Sequence, residues 1–392
     1  MVNVGFSACP KLSSVTLQSN HMTSSTLQIN DLVSSLLDLN VNNCRRLDVN
    51  QLNLATVTNL KTLNCSNTKI AANPILTIGT TLESINCSVN VFSNLSNIPS
   101  SLKTFYGSVN AFSNLNFTTC SNLTYVNVLS NQLTTLQVNG LANLTDLNCS
   151  FNNIAALNLT GLTSIQQINC RNNNLNSLSL PVANSLVNVD CSHNNIGGTI
   201  SVSNVKLKNI NVSFNNLTAL TLTSSITGLS EIICNNNQIA ALTLTAAQSS
   251  VTTLDCSNNS TLNSINTSNL TYVNKLDCSN TGITTLDLTL MDGIAHIKAN
   301  GCGNLTTVTI QDVNIRNSIS WWGWWSYWNI IIDFSNNPNL TQLSIDKILT
   351  AATGSFKKYG VLRLNNTRIL TPFQRSMKDQ LLSRGWLVTF DS

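Results

Sequence analysis

Leu144-Thr-Asp-Leu147-Asn-Cys149-Ser-Phe-Asn152-Asn-Ile154-Ala-Ala-Leu157-Asn-Leu159 is the stretch that decides the fold, because the chain keeps repeating it. Ile165, Ile168, Cys170, Asn173, Leu175, Leu178 and Leu180 fill the same slots one period later. Leu186, Val189, Cys191, Asn194 and Ile196 follow, then Leu207, Ile210, Val212, Asn215, Leu217, Leu220 and Leu222. Leu229, Ile232, Cys234, Asn237, Ile239, Leu242 and Leu244 close the run. The Cys slot falls at 149, 170, 191, 212 and 234, a period of 21 or 22 residues that marks a stacked solenoid.

The chemistry of one period explains the spacing. In Leu-x-Cys the side-chain period of two sets Leu147 and Cys149 on one face of a short strand and Asn148 on the other. A coil this short cannot bury its apolar face alone, so it must stack on its neighbours. Asn152, three residues past the Cys, stands where the chain leaves the strand. Its amide can both donate to and accept from the backbone of two coils, so stacked coils should carry an Asn ladder.

Outward from this run, the first coil reads Leu12-Ser-Ser-Val15-Thr-Leu17 with Asn20 and Met22, and the next centres on Leu37, Leu39 and Asn42 with Leu47 and Val49 returning. The slots continue at Cys65, Cys87, Gly107 and Val128, and beyond the central run at Cys256, Cys278 and Ala299. The expectation is a β-rich solenoid of parallel strands in about 15 coils. Each coil has a second apolar leg, such as Ile283-x-x-Leu286-x-Leu288, which lacks a helical period and is a strand or an extended segment.

Composition agrees with a folded core: 42% of the residues are apolar and they recur periodically. Charged residues are 9% of the 392, against about 25% in ordinary soluble domains. A net charge of +4, dispersed along the chain, gives no reason to expect a nucleic-acid or membrane partner. Eight of the 12 cysteines (Cys65, Cys87, Cys149, Cys170, Cys191, Cys234, Cys256 and Cys278) share a slot with Val128, Val212 and Phe334, so they are expected as reduced, buried thiols. The opening Met1-Val-Asn-Val-Gly-Phe lacks the basic start and apolar run of a signal peptide, and no stretch is long and apolar enough to span a membrane.

The repeat L-x-x-L-x-C-S-x-N-x-L-x-x-L-x-L resembles the short leucine-rich repeats of bacterial, especially Bacteroidetes-type, surface and phage-borne proteins. The resemblance covers roughly residues 12–310 and returns in degenerate form around Phe334 and Leu364. It implies recognition of a protein or glycan on a repeat face, without catalysis or cofactor. The organisation expected is a repeat array with an N-terminal cap over 1–310, a Trp-rich insertion over 311–328, and degenerate repeats with a C-terminal cap over 329–392. In that last part a short helix is expected at Lys347–Ala352 with Asp346 as N-cap. A second is expected after Thr371-Pro372, with Phe373, Met377 and Leu381 on one face, Gly385 at its end and Trp386–Phe390 as a final strand. A terminal helix followed by Arg384-Gly385-Trp386-x-Val388-Thr389 also resembles the tails of phage-carried leucine-rich-repeat proteins.

No catalytic constellation and no metal-ligand spacing is apparent: His21, His193 and His296 stand in different coils, and Cys191-Ser-His193 is the nearest approach to a metal motif. Asp190, Asp255 and Asp277 share the position before the Cys slot, which suggests polar decoration of a strand row more than an acid pair. Two groups are the candidate binding residues. Tyr106 and Tyr125 sit among Asn64, Asn86, Asn127, Asn148 and Asn169 on the outward strand rows, and aromatics dominate binding energetics. Trp321, Trp322, Trp324, Trp325, Tyr327 and Trp328 crowd eight residues and would serve as a docking surface or a side lid. The setting expected is a bacteriophage or phage-like particle, as a fibre, spike or decoration protein bound to a virion partner or a host-surface protein or glycan. The alternative is a bacterial cell-surface adhesin.

Overall fold

The computed structural model describes residues 4–5, 11–19, 27–28, 35–45, 57–68, 81–95, 98–223, 226–244, 250–291, 293–311, 330–355, 359–365 and 370–391. The chain forms a parallel β-solenoid of about 14 turns, divided into two compact units, Met1–Asn195 and Ile196–Ser392.

In the first unit the period-two pattern yields three-residue strands, each with one buried residue between two that face outward. Thr62–Asn64, Ser84–Asn86, Thr104–Tyr106, Tyr125–Asn127, Asp146–Asn148, Gln167–Asn169 and Asn188–Asp190 follow one another in register as parallel neighbours. Leu63, Ile85, Phe105, Val126, Leu147, Ile168 and Val189 point into the core. In the second unit Asn209–Asn211, Glu231–Ile233, Thr253–Asp255, Lys275–Asp277, His296–Lys298, Ile330–Phe334, Gly360–Asn365 and Leu387–Asp391 do the same.

The Cys slot is core throughout. Eleven cysteines among the described residues are buried and outside any disulfide, and Cys65, Cys149, Cys170, Cys191 and Cys278 have no exposed surface. Burial pushes the thiols of Cys65, Cys149 and Cys191 up to about 12. The Asn ladder forms as expected. Asn152 Nδ2 donates to the carbonyls of Cys149 and Val128, 3.0 Å each, and its Oδ1 accepts from the Leu133 N–H at 3.0 Å. Asn173 repeats this with Cys170, Cys149 and Ile154, and Asn237 does so in the second unit with Cys234, Val212 and Leu217. Each ladder amide thereby satisfies three backbone groups that no strand partner reaches.

One early coil is shifted from its expected reading. Leu36, Leu39 and Val41 take the core slots, and Cys44 takes the ladder slot, where its thiol donates to the Leu17 carbonyl at 2.8 Å. Leu37 and Asn42 flank these positions. Asn20, Met22, Leu47 and Val49 lie outside the described residues.

The return legs are strands in some coils and extended segments in others. Asn114–Asn116 pairs with Thr135–Gln137 in the first unit. In the second, Gly197–Val202, Asn216–Leu222 and Ala241–Thr243 form one small parallel sheet, and Thr285–Asp287 with Thr307–Thr309 another.

The C-terminal cap corrects two expectations. The first helix, α1, runs Gln342–Gly354 with Thr341 as N-cap, five residues ahead of the expected start. Thr341 accepts from the Ser344 N–H, and Ser344 Oγ meets the Val308 N–H at 3.0 Å, so α1 takes the place of a return leg on strand Thr307–Thr309. Leu343, which a return-leg spacing of Leu340, Leu343 and Ile345 after Phe334 would place in the core, is exposed on this helix. The second helix, α2, runs Pro372–Ser383 behind the Thr371 N-cap with Gln374 completing a capping box. Its buried residues are Gln374 and Leu381, while Phe373 is exposed, because Gln374 Nε2 also donates to Asp346 on α1 at 2.8 Å and fixes which face turns inward. Gly385, at φ +82°, ends the helix as its position suggests.

Candidate functional site

The outward residue that closes each strand has a second role that spacing alone did not reveal. Asn64 Oδ1 accepts from the Ser66 N–H at 3.2 Å, Asn86 from Ser88 at 3.1 Å and Asn127 from Leu129 at 3.1 Å. Asn148 accepts from Ser150 and Asn169 from Arg171, both at 3.2 Å. These bonds turn the chain out of the strand, from a residue four ahead of the ladder slot. Only an oxygen can accept from an N–H, so the bond also fixes which way each amide faces.

Aspartate supplies the same oxygen. Asp190, Asp255, Asp277 and Asp333 accept from the N–H groups of Ser192, Ser257, Ser279 and Ser335 at 3.0–3.1 Å. The acids singled out by sequence are therefore strand-exit caps. Burial raises the Asp255 carboxyl above its ordinary value, against the hydrogen bonds from Ser257, and the Asp277 charge adds to the rise. Asp277 also lies 3.7 Å from Lys298 Nζ, and Asp333 3.0 Å from Arg363 Nη1. Burial lowers the neighbouring His296, with Lys275 and Lys298 acting in the same sense. The second unit's strand face is thus a field of mixed charge.

The first unit's face differs. From Asn64 to Asn169 its two outward columns read Thr62, Ser84, Thr104, Tyr125, Asp146, Gln167 and Asn64, Asn86, Tyr106, Asn127, Asn148, Asn169, with Asp146 the one carboxylate. Tyr106 and Tyr125 are brought together as expected. The register places Tyr106 opposite Asn127 and Thr104 opposite Tyr125, a diagonal that long side chains can span. Their rings lie 4.7 Å apart, tilted by 33°, both half-buried, and Asn127 Nδ2 reaches the Tyr125 hydroxyl at 3.5 Å.

The pair stands on an aromatic core. Phe105 fills the Leu slot and packs on Phe117 at 4.9 Å and Phe112 at 6.3 Å between centroids. Gly107 fills the Cys slot because a Cβ there would come within 2.4 Å of the Phe105 ring. Beside the face, Glu83 bridges Lys61 at 2.8 Å and Lys103 at 2.6 Å, and these two hydrogen bonds push its carboxyl down to about 2.

A second column was also missed. The residue after each strand-exit turn has φ between +52° and +59°, a conformation that suits Asn67, Asn172, Asn236 and Asn258 but strains a β-branched side chain. Val89 and Val109 nevertheless occupy it in adjacent coils, 47% and 46% exposed, with Phe151 further on at 51%. His193 also falls in this column while Cys191 points into the core, which separates the two as expected. Among the described residues no group of three or more His, Cys, Asp or Glu side chains could hold a metal ion. On the return side of this unit Thr118, Thr135, Gln137, Asn139, Asn158 and Thr160 border an open groove of about 660 Å³ whose lining holds no ionisable group. The Trp321–Trp328 cluster lies outside the described residues.

Comparison with solved structures gives the stack its relatives. The functional domain of InlJ from Listeria monocytogenes, which includes a cysteine ladder, superposes with a TM-score of 0.62 over 92% of this chain and 76% of that one, at 21% identity. The fold is that of the leucine-rich-repeat proteins. A leucine-rich-repeat protein of Leptospira interrogans matches over 99% of this chain and 97% of its own length, with a TM-score of 0.52 and 16% identity. A chain of the LRIM1/APL1C complex matches over 73% of this chain and 52% of its own, with a TM-score of 0.53 and 16% identity. No family model and no curated protein matches the sequence. A column of cysteines is common to the InlJ domain and to this chain. Among the described residues no helix is long and apolar enough to cross a membrane.

Proposed function

We propose that this leucine-rich-repeat chain is a non-enzymatic recognition protein that engages a partner through the strand face of its first unit. The observation that carries the reading is the Tyr106–Tyr125 pair, half-exposed in the middle of a nearly uncharged face, on a strand whose inward residue, Phe105, packs in an aromatic core. Two rigid aromatic groups held side by side lose little conformational freedom on binding, as contact hot spots require. Asp255 and Asp277, the nearest thing to a catalytic pair, are occupied in capping strand exits. The setting that the repeat sequence favours is a phage or phage-like particle, with the partner on the virion or on the host surface; a bacterial surface adhesin is the second reading. The Trp321, Trp322, Trp324, Trp325, Tyr327 and Trp328 cluster is proposed, from sequence, as a further docking contact.

Replacing Tyr106 and Tyr125 by Ser should abolish attachment of the chain to its particle or to host cells while leaving the fold intact by circular dichroism. Unchanged attachment in a folded double variant would remove the face from consideration. Co-sedimentation with purified virions separates the two settings, since an adhesin stays with the bacterial envelope. Trp324→Ser with Trp325→Ser should weaken assembly with little change in melting. Loss of a biological activity in a folded Asp255→Asn, Asp277→Asn variant would reopen the enzyme question.

A further inference from the structure

We infer that the ligand of this face is a linear polysaccharide of uncharged sugars, lying along the stack so that successive rings meet successive coils. The inference rests on the recognition reading above and names the partner's chemistry. It starts from the strand-exit caps. With Oδ1 of Asn64, Asn86, Asn148 and Asn169 held by a backbone N–H, the Nδ2 of each has no partner among the described residues and is not buried. The fold needs only the oxygen. Aspartate does that job at Asp190 in the first unit and at Asp255, Asp277 and Asp333 in the second, so the backbone does not dictate Asn at the coils from Asn64 to Asn169. Choosing Asn replaces an outward anion by an outward neutral donor, coil after coil.

The spacing of those donors selects among polymers. Neighbouring strands lie about 4.8 Å apart, so the amide groups and the Tyr106 position recur at that interval. Carbonyls on one side of an extended peptide recur at about 6.8 Å, twice the strand rise, and fall out of step within two coils. A sugar ring with its glycosidic oxygen spans about one strand spacing and stays in step, offering hydroxyl and ring oxygens to each donor. The tilted Tyr106 and Tyr125 rings, 4.7 Å apart, give the apolar C–H face of a ring something to stack on. Charge points the same way: between Asn64 and Asn169 Asp146 is the one carboxylate in the two columns, with Asp38 and Asp190 at either edge, which disfavours a polyanion and offers a polycation few contacts.

Affinity electrophoresis of the full chain tests this, in gels cast with a β-glucan, an α-mannan, a xylan or polygalacturonate. Retardation by at least one neutral polymer and none by polygalacturonate is expected, with binding by calorimetry insensitive to 0.5 M salt (about the point where exposed charge pairs are screened). Asn86→Asp with Asn148→Asp keeps both caps and should weaken that binding about tenfold (one lost set of neutral donors), as should Tyr106→Ala; Asp255→Asn with Asp277→Asn should leave it unchanged. Retention by none of the neutral polymers, or equal retention of the Asn→Asp variant, overturns the inference. If the polymers fail while the tyrosine variants still lose attachment, the ligand is a protein and the recognition reading stands. If the tyrosine variants keep attachment, that reading falls as well.

Discussion

At the residue scale, the ladder amides matter more than their exposed neighbours. Asn152→Ala would leave the Leu133 N–H short of a partner in a buried turn, while the Val128 and Cys149 carbonyls keep Asn131 and Asn173 as donors. The expected loss is about 1–3 kcal/mol, read by urea unfolding, the cost of one orphaned buried donor. A loss below about 1 kcal/mol would mean that water reaches the turn. Gly107→Cys restores the repeat's commonest residue but drives a Cβ into Phe105, so it should destabilise by about 1–3 kcal/mol. Phe105→Leu in the same chain should recover most of that, and additive effects of the two changes would refute the size exchange. The slots themselves were legible because Leu, Cys and Asn recur at fixed intervals. The exchange at Phe105 and Gly107 was not, since each departs from the pattern and only their contact explains both. The strand-exit caps were hidden for another reason. An outward Asn that holds its own backbone looks, in a sequence, the same as one that merely keeps a sheet soluble.

At the element scale, the C-terminal cap shows where a repeat pattern misleads. Leu340, Leu343 and Ile345 continue a return-leg spacing, yet Thr341 accepts from Ser344 and the chain coils into α1 at once. Apolar residues three and five apart serve an extended leg and a helix alike, so periodicity left the start of α1 undecided. Thr371-Pro372, by contrast, carried its own cap chemistry and fixed α2 to the residue. Which face of α2 is buried was beyond the sequence, because it depends on Gln374 meeting Asp346 across the two helices. Gln374→Ala removes the bond to the Thr371 N–H and the bond to Asp346 together. It should cost about 2 kcal/mol, of the order of a lost cap plus a charge-assisted bond. Hydrogen exchange should show the loss first in α2 and in Leu387–Asp391, and uniform loss across the second unit would mean that the cap does not open on its own.

At the scale of the whole molecule, stability is shared along a column of thiols that gives the fold an alkaline limit. Burial holds Cys65, Cys149 and Cys191 at about 12 and Cys87, Cys170, Cys256 and Cys278 well above their ordinary value, whereas an unfolded thiol titrates near 9. A raised folded value means that the native state keeps protons the unfolded state gives up. The contribution is complete below pH 9 and is lost as pH climbs from about 9 towards 12, at about a kcal/mol per thiol for each pH unit. Because coils stack one on the next, losses in neighbouring slots should sum into a steep fall of Tm above pH 9. Val128 and Val212 show that the slot accepts a β-branched residue with no titrating group. Cys149, Cys170 and Cys191 replaced together by Val should therefore melt within a few degrees of the parent at pH 7, given the near-equal volume. The variant should lose less Tm between pH 9 and 11, by roughly the share of three thiols in the column. The buried thiols of the parent should also resist a disulfide reagent at pH 8 until the chain unfolds, since the reactive thiolate is suppressed. Parallel Tm profiles for parent and variant would place the alkaline limit elsewhere, in the tyrosines or lysines, and deprive the thiol column of the role its burial assigns.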